Sequence, residues 1–172
     1  MTFILRRTEK LAELLPVTDL VPAASDTALG DWYINRQTVD RKPLLLLVSA
    51  DTLLPIVIPA RGVRTLPQRL GALVRHRLQL MDIPTAWIDA EVAAMATVAV
   101  AKTASRSVLG VMNEFMYTVP YYLESGWNED SLDMVGHRLA DMPIFASGPA
   151  SRVLYPRDAT PQRLRERWEP EA

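Results

Sequence analysis

The sequence KTASRSVLGVMNEF, residues 102–115, decides the fold, because an apolar run ends there and an amphipathic helix begins. The preceding residues 98–101 form an apolar run that is short enough for a buried strand. Thr103 or Ser105 is expected to cap the helix, since a hydroxyl oxygen accepts a hydrogen bond from a free backbone N–H group of the first turn. The sequence therefore predicts a strand that leads directly into a helix.

The predicted helix has two distinct stripes of side chains. Apolar residues recur with the spacing of one helix face, and we expect them to be buried: Val108, Met112, Phe115 and Val119. A second stripe with similar spacing is largely polar: Arg106, Gly110, Asn113 and Tyr117. This second stripe is where we expect a functional site.

Arg106 is the unusual residue of the second stripe. It lies in the first turn, where the helix dipole disfavours a cation by up to about 1 kcal/mol. A guanidinium beside free N–H groups, with Lys102 nearby, is typical of a site for phosphate or carboxylate. Alternatively, Arg106 pairs with a carboxylate of its own chain, and both interpretations stay open at this stage.

The composition is that of one domain with a large core. The chain has 172 residues, of which 49% are hydrophobic. Because it has no cysteine, disulfides, thiolate catalysis and cysteine-ligated metal centres are excluded. The most apolar stretch, residues 44–58, is interrupted by Asp51 and Pro55, and residues 1–10 lack the apolar core of a signal peptide. We therefore expect a cytoplasmic protein without a membrane partner.

The net charge of -1 hides an asymmetry. Residues 36–81 contain eight basic and two acidic residues, a charge of +6, whereas residues 82–145 contain nine acidic and three basic residues, a charge of -6. The basic residues 61–77 indicate a surface for nucleic acid or another anionic ligand. Two alternatives remain, namely that the two halves neutralise each other on folding and that a protein partner covers the basic surface.

The remaining pattern predicts an α+β fold. Strands are predicted at 2–5, 44–48, 53–58 and 97–101, with the middle two forming a hairpin whose second strand Pro55 directs to a sheet edge. Helices are predicted at 67–81, 85–95, from 106 to a kink or end at Pro120, at 128–140 and at 160–168. In the first of these helices, three arginines are expected away from the buried side: Arg69, Arg75 and Arg77.

Together, these elements predict a small mixed or antiparallel sheet covered by helices, in a single domain at 1–145. A C-terminal extension with a short charged helix is predicted at 146–172. The backbone of residues 29–36, LGDWYINR, stays undecided, because its apolar residues show neither a helical nor a strand period.

Two polar stretches supply the candidate ligand-binding residues: Asp31, Trp32, Tyr33, Asn35, Arg36, Lys102, Arg106, Ser107, Asn113 and Glu114. Asp31 or Glu114 can act as a general base, with Arg106 holding an anion and Asn113 orienting it. The alternative is a structural network in which a carboxylate satisfies Arg106, while the aromatic residues pack in the core.

Motifs of common enzyme classes are absent from the sequence, including the nucleophile elbow, the phosphate-binding loop and the dinucleotide fingerprint. Asp133, His137 and Asp141 share a helix face, but we interpret them as a solvated surface rather than as metal ligands. No metal and no cofactor are therefore predicted.

Three segments resemble an uncharacterised bacterial family that is known only as a domain of unknown function. They are TALGDWY at 27–33, TLLP at 52–55 and RSVLGVMN at 106–113, which contain the signatures LGDWY and RSVLGxMN. The resemblance covers about the first four-fifths of the chain. It implies one intact domain and supports the polar residues above, and it supplies no activity.

The sequence does not identify an activity. The function we favour is a cytosolic binding or regulatory module with a polar anion-binding site, with nucleic acid as one ligand class. The alternatives are a hydrolase or transferase with a carboxylate base, and a subunit of a protein complex.

Overall fold

A central β-sheet organises the molecule, whose computed structural model describes residues 1–124, 126–145 and 152–171. Its strands are β1 Thr2–Arg7, β2 Trp32–Val39, β3 Lys42–Ser49, β4 Pro55–Pro59 and β5 Thr97–Lys102. They are arranged in the order β4-β3-β2-β1-β5. β1 is parallel to both β2 and β5, whereas β2, β3 and β4 form an antiparallel meander. The sheet is therefore mixed, and β4, which begins at Pro55, lies at its edge as predicted.

The segment that the sequence left undecided is strand β2. Trp32 packs in the core on one face of the sheet, and Tyr33 packs in the core on the other. A strand that is buried on both faces loses the alternation of apolar and polar residues. This burial explains why no period was visible in the sequence.

Helices cover both faces of the sheet in the described residues. They are α1 Leu66–Leu80, α2 Thr85–Ala93, α3 Arg106–Tyr122, α4 Glu129–Ala140 and α5 Pro156–Trp168. Residues of α1, α2 and α5 pack with one face, and residues of α3 and α4 pack with the other. The predicted single-domain α+β fold is confirmed.

The start of α3 follows the predicted pattern. The backbone N–H of Val108 donates to Ser105 Oγ at 3.2 Å, so Ser105 is the cap. The apolar stripe is buried as predicted, from Val108 to Val119. Pro120 lies within the last turn, and the helix ends two residues later at Tyr122.

The charged C-terminal helix packs on the core. It begins at Pro156, four residues before the predicted start, and Leu164 is fully buried against the face covered by α1 and α2. Thr160 Oγ1 donates to Thr52 Oγ1 at 3.0 Å. Of the predicted extension, residues 146–151 and 172 lie outside the described residues, and its boundary at residue 146 stays a prediction.

A buried carboxylate connects α2 with two distant parts of the chain. Glu91 accepts hydrogen bonds from the backbone N–H groups of Ala28 and Leu29 at 2.8 and 3.0 Å. It also accepts one from Trp168 Nε1 at 2.7 Å. Burial raises the pKa of Glu91, and these hydrogen bonds act in the opposite direction. Glu91 therefore holds α5 and the 28–29 turn against α2.

Among the helices of the described residues, none has both the length and the apolar character needed to cross a membrane.

Candidate functional site

The first of the two predicted polar stretches, residues 31–36, is held by contacts within the chain. Asp31 Oδ2 accepts a hydrogen bond from Arg6 Nε at 2.6 Å, and Asp31 Oδ1 accepts one from Ser25 Oγ at 2.7 Å. Arg6 Nη1 also donates to the backbone carbonyl of Lys102 at 2.9 Å. Asp31 thus fixes the ends of β1 and β5 relative to the start of β2, and its partner is Arg6 rather than Arg106.

The neighbours of Asp31 also have structural contacts. Tyr33 Oη accepts a hydrogen bond from the backbone N–H of Ser105 at 3.1 Å, directly before α3. Asn35 Oδ1 accepts one from Thr8 Oγ1 at 2.7 Å. Trp32 is fully buried, and its Nε1 has no partner among the described residues. Tyr33 therefore helps to position α3, Asn35 contacts the residue after β1, and Trp32 packs in the core. The structural alternative expected this packing for Trp32 and Tyr33.

Sequence reasoning missed Arg6 as the partner of Asp31. Arg6 follows the apolar residues Phe3, Ile4 and Leu5 in a strand. A charged residue at the end of a buried strand needs a counter-charge or solvent. That mismatch was the available signal, although it does not identify the partner 25 residues away.

Gly30 explains part of the LGDWY signature. Its φ of 77° lies in the left-handed region, which residues other than glycine rarely adopt. A Cβ at this position would lie 2.7 Å from Cγ of Asp51. The glycine therefore permits the turn that leads into β2, which is a structural requirement of the fold.

The second polar stretch lines an open cavity, which we call the α3 cavity. Its volume is about 270 Å³. One wall consists of α3 residues, including Arg106, Ser107, Gly110 and Glu114. The facing wall is apolar and is formed by residues from three other segments: Leu53, Ile144, Phe145 and Leu154. Ile144 and Leu154 belong to a short antiparallel pair, Ile144–Phe145 with Val153–Leu154.

Two charged side chains of the α3 cavity are free. Arg106 and Glu114 are exposed, and neither side chain has a hydrogen bond or ion pair within the described residues. They are eight positions apart on one helix, which corresponds to about 12 Å along its axis. The cavity therefore has a cation toward one end and an anion toward the other.

Gly110 lies midway between these two charges. A Cβ at this position would meet no atom within 4 Å. Glycine in a helix interior costs roughly 0.5–1 kcal/mol relative to alanine. Packing within the described chain does not require this glycine, in contrast to Gly30.

The remaining predicted residues lie outside the lining of the α3 cavity. The Lys102 side chain is exposed, as are Arg36 and Asn113. The predicted set is thus divided: three residues line one cavity, whereas Asp31, Trp32, Tyr33 and Asn35 hold the fold.

The basic residues 61–77 contact acidic residues of the other half of the chain. Arg61 pairs with Glu129. Arg75 pairs with Asp89 at 2.7 Å, and His76 Nε2 lies 2.8 Å from Asp133 Oδ2. α1 thus meets acidic residues from α2 and α4, which supports the alternative that the two halves neutralise each other.

The predicted polar face of α4 is exposed to solvent, and its carboxylates also contact basic side chains. Asp133 contacts His76, and Asp141 lies 3.2 Å from Arg157 and 3.9 Å from His137. Over the described part of the chain, no group of three or more His, Asp or Glu side chains has an arrangement suited to a metal ion.

Comparison with known families gives a match over most of the chain. The family described as Domain of unknown function (DUF6933) matches residues 4–159. The chain belongs to this family. None of the curated proteins compared with it matches.

The DUF6933 match begins within β1 and ends in the first turn of α5. It therefore includes the sheet except for the first two residues of β1, the Asp31 contacts and every residue of the α3 cavity. The resemblance to an uncharacterised family is confirmed, and both polar groups lie inside the matched region.

Proposed function

We propose that this chain is a bacterial cytoplasmic binding module that holds a small phosphate ester in the α3 cavity. The observation that carries the proposal is the row of Arg106, Gly110 and Glu114, which combines two free charges with a glycine between them. The cytoplasmic setting is supported by the cysteine-free sequence, and the bacterial origin by the resemblance described above.

The start of α3 offers several donors to a phosphate group. The Ser105 cap uses the N–H of Val108, and the Ser105 carbonyl accepts the N–H of Leu109. Within the described chain, the N–H groups of Arg106 and Ser107 have no partner, as is usual in a first helical turn. A planar guanidinium and free N–H groups at the start of a helix can donate to the oxygens of one phosphate group.

The rest of the cavity defines the body of the ligand. The wall that faces α3 is apolar and includes Phe145, which is 73% exposed. Glu114 disfavours a second anionic group at its end of the cavity, because like charges repel. We therefore propose a monophosphate ester with an uncharged, partly apolar body.

A small ligand is favoured over nucleic acid as the occupant. Arg61, Arg75 and His76 each contact a carboxylate, so the charge of the 61–77 surface is partly neutralised. Nucleic-acid affinity depends mainly on cations that remain available for phosphates. The enzyme and complex-subunit alternatives stay predictions, and Asp31 is disfavoured as a base because both of its carboxylate oxygens are already bonded.

Replacement of Arg106 by glutamine is expected to weaken the binding of phenyl phosphate. The loss of a charge-assisted hydrogen bond corresponds to roughly a tenfold to hundredfold reduction in affinity. Isothermal titration calorimetry with phenyl phosphate measures this change, and inorganic phosphate should bind more weakly than the ester because it lacks the ring. The matched control is Arg36→Gln, which removes an exposed arginine outside the cavity.

Equal losses in R106Q and R36Q would show non-specific charge attraction and contradict the proposal. Absence of saturable phenyl phosphate binding to the wild-type protein would also contradict it. Salt-sensitive binding of a single-stranded oligonucleotide that survives R106Q would instead favour the nucleic-acid hypothesis.

Two substitutions of Gly110 are expected to have different effects: one raises stability, and the other weakens binding. Gly110→Ala should raise the free energy of unfolding by roughly 0.5–1 kcal/mol, since alanine favours the helix and the added methyl meets no atom. Gly110→Leu should keep the fold and weaken phenyl phosphate binding about tenfold or more, because its side chain occupies the cavity. Urea denaturation and calorimetry measure the two effects.

Gly71→Ala in α1 is the control for Gly110, because a Cβ there makes an ordinary 3.5 Å contact with Val92. It should leave phenyl phosphate affinity unchanged. Unaltered affinity in G110L would show that the ligand does not occupy the α3 cavity.

A further inference from the structure

Arg77 is buried without a carboxylate partner among the described residues, whereas the buried Glu91 has three hydrogen-bond donors. The residue is 3% exposed, although helical spacing predicted it away from the buried side of α1. Its Nη1 has one long hydrogen bond, 3.4 Å to the backbone carbonyl of Asp133. Its Nε and Nη2 are buried and have no partner among the described residues. Buried polar groups of folded proteins are usually satisfied, so these two donors require an explanation.

The two unsatisfied donors lie on one edge of the guanidinium. In arginine, the N–H groups of Nε and Nη2 point to the same side, opposite the bond to Cδ. This edge is the one that binds carboxylate or phosphate oxygens as a pair of parallel donors. This unsatisfied edge has the chemistry of an oxyanion binder, although neither donor atom has accessible surface in the structure.

A groove between α1, β4 and α4 leads to Arg77. An inner cavity of about 20 Å³ is lined by Arg77 and Gly136. An outer cavity of about 270 Å³ contains Arg61 and Arg69 at its wall. The two cavities share most of the inner lining, including Leu73, His76 and Asp133, so they form one continuous groove. The inner cavity accommodates about one oxygen atom, judged by the volume that a water molecule needs.

The charges of the groove favour a ligand with a single negative charge. Glu129 pairs with Arg61, and Asp133 contacts His76. Arg69 donates to the backbone carbonyls of Arg61 and Gly62. Among the described residues, neither Arg69 nor Arg77 has an ion pair with a carboxylate, and of the two only Arg77 is buried. Two carboxylates in the same walls would repel a phosphate dianion more strongly than a monoanion.

The outer cavity favours a ligand with an aliphatic body. Its lining includes the apolar residues Val57, Ile58, Leu73 and Leu132 beside the charged ones. Burial of a few CH₂ groups there favours binding, because apolar surface is removed from water. A short fatty acid anion combines this body with one charged end.

We infer that the groove between α1, β4 and α4 binds a short aliphatic monocarboxylate. One carboxylate oxygen occupies the inner cavity beside the Arg77 guanidinium. The hydrocarbon chain lies in the outer cavity against Leu73 and Leu132. This site is distinct from the α3 cavity, which contains residues of α3 and none of α1.

Thermal unfolding with sodium butanoate tests the inference, with sodium chloride at equal ionic strength as the reference. A ligand that binds only the folded state raises the midpoint temperature in a saturable manner. We expect this rise for butanoate, a smaller rise for acetate, and no corresponding rise for inorganic phosphate. Arg77→Met should weaken butanoate affinity by about tenfold or more.

Two further variants separate the inference from its alternatives. Leu73→Phe keeps Arg77 and fills the outer cavity, so it should also weaken butanoate binding, including in the event that R77M does not fold. Arg75→Gln is the control, because Arg75 is on the same helix and pairs with Asp89. R75Q and R106Q should leave butanoate binding unchanged.

A saturable effect of butanoate that is equal in wild type, R77M and L73F would overturn the inference. So would the lack of any effect on the wild type, or a stronger effect of phosphate that depends on Arg77. Loss of phenyl phosphate binding in R106Q with butanoate binding retained would show that the two proposals concern independent sites.

Discussion

Replacement of Glu91 by alanine is expected to lower the free energy of unfolding by about 3–5 kcal/mol. The fully buried carboxylate accepts hydrogen bonds from the backbone of Ala28 and Leu29 and from Trp168 Nε1. Its removal leaves two buried backbone donors and the partly buried Trp168 indole without this partner, and it loosens the attachment of α5. Urea denaturation followed by circular dichroism measures the loss.

Glu114→Ala is a suitable control for this variant, since Glu114 is an exposed helical glutamate and its removal should change stability by at most about 0.5 kcal/mol. Tryptophan fluorescence supplies a second readout, because one of the four indoles, that of Trp168, loses its partner in E91A. An E91A variant as stable as E114A would show that the Glu91 contacts do not hold the fold.

The stability contribution of Glu91 is also expected to depend on pH. Burial raises the pKa of Glu91 above the ordinary value of 4.5. Between the unfolded and folded pKa values the folded state binds more protons, so stability from this group is fully present below the unfolded pKa and decreases as pH rises through the folded pKa. Glu91→Gln lacks this titration.

As the pH rises from 4 to 8, the free energy of unfolding of the wild type should therefore fall relative to that of E91Q. The same urea measurement at several pH values determines it, and the comparison cancels groups that titrate in both proteins. A difference that is constant, or that moves in favour of the wild type, would contradict the direction of the pKa shift.

Replacement of Arg77 by methionine is expected to raise the free energy of unfolding by about 1–4 kcal/mol. A buried guanidinium without a carboxylate contact bears a desolvation penalty that two long-range attractions, to Asp133 and Asp141, only partly offset. In agreement with this balance, burial lowers the pKa of Arg77 and the two carboxylates raise it. Methionine has a similar length and fills the same space without a charge.

Arg75→Met is the control for the stability measurement, because Arg75 is partly exposed and its ion pair with Asp89 contributes about 1 kcal/mol or less. Destabilisation by R77M would mean that Arg77 is better satisfied in solution than its contacts indicate. Stabilisation together with loss of butanoate binding would show that the chain retains a costly residue for a ligand.

Local sequence patterns determined several features before any tertiary structure was considered. Ser105 caps α3 because its hydroxyl can reach an N–H of the first turn, and this interaction involves residues only three positions apart. The buried stripe of α3 follows from helical spacing, and Pro55 restricts β4 to a sheet edge because proline cannot donate to a strand ladder. The α+β class followed from the sum of such local patterns.

Tertiary structure decided which polar residues remained available for a ligand. In the structural alternative, Asp31 was one of two carboxylates that could satisfy Arg106. Its partner is Arg6, because the parallel pairing of β1 with β2 places Leu5 opposite Trp32. The α3 cavity needs walls from Leu53, Ile144 and Leu154, and no spacing within α3 identifies them. Arg77 became buried because α4 packs against β4 beside α1. A sequence specifies contacts within a helix turn or a strand directly, whereas the partners of a charged side chain depend on how distant elements pack.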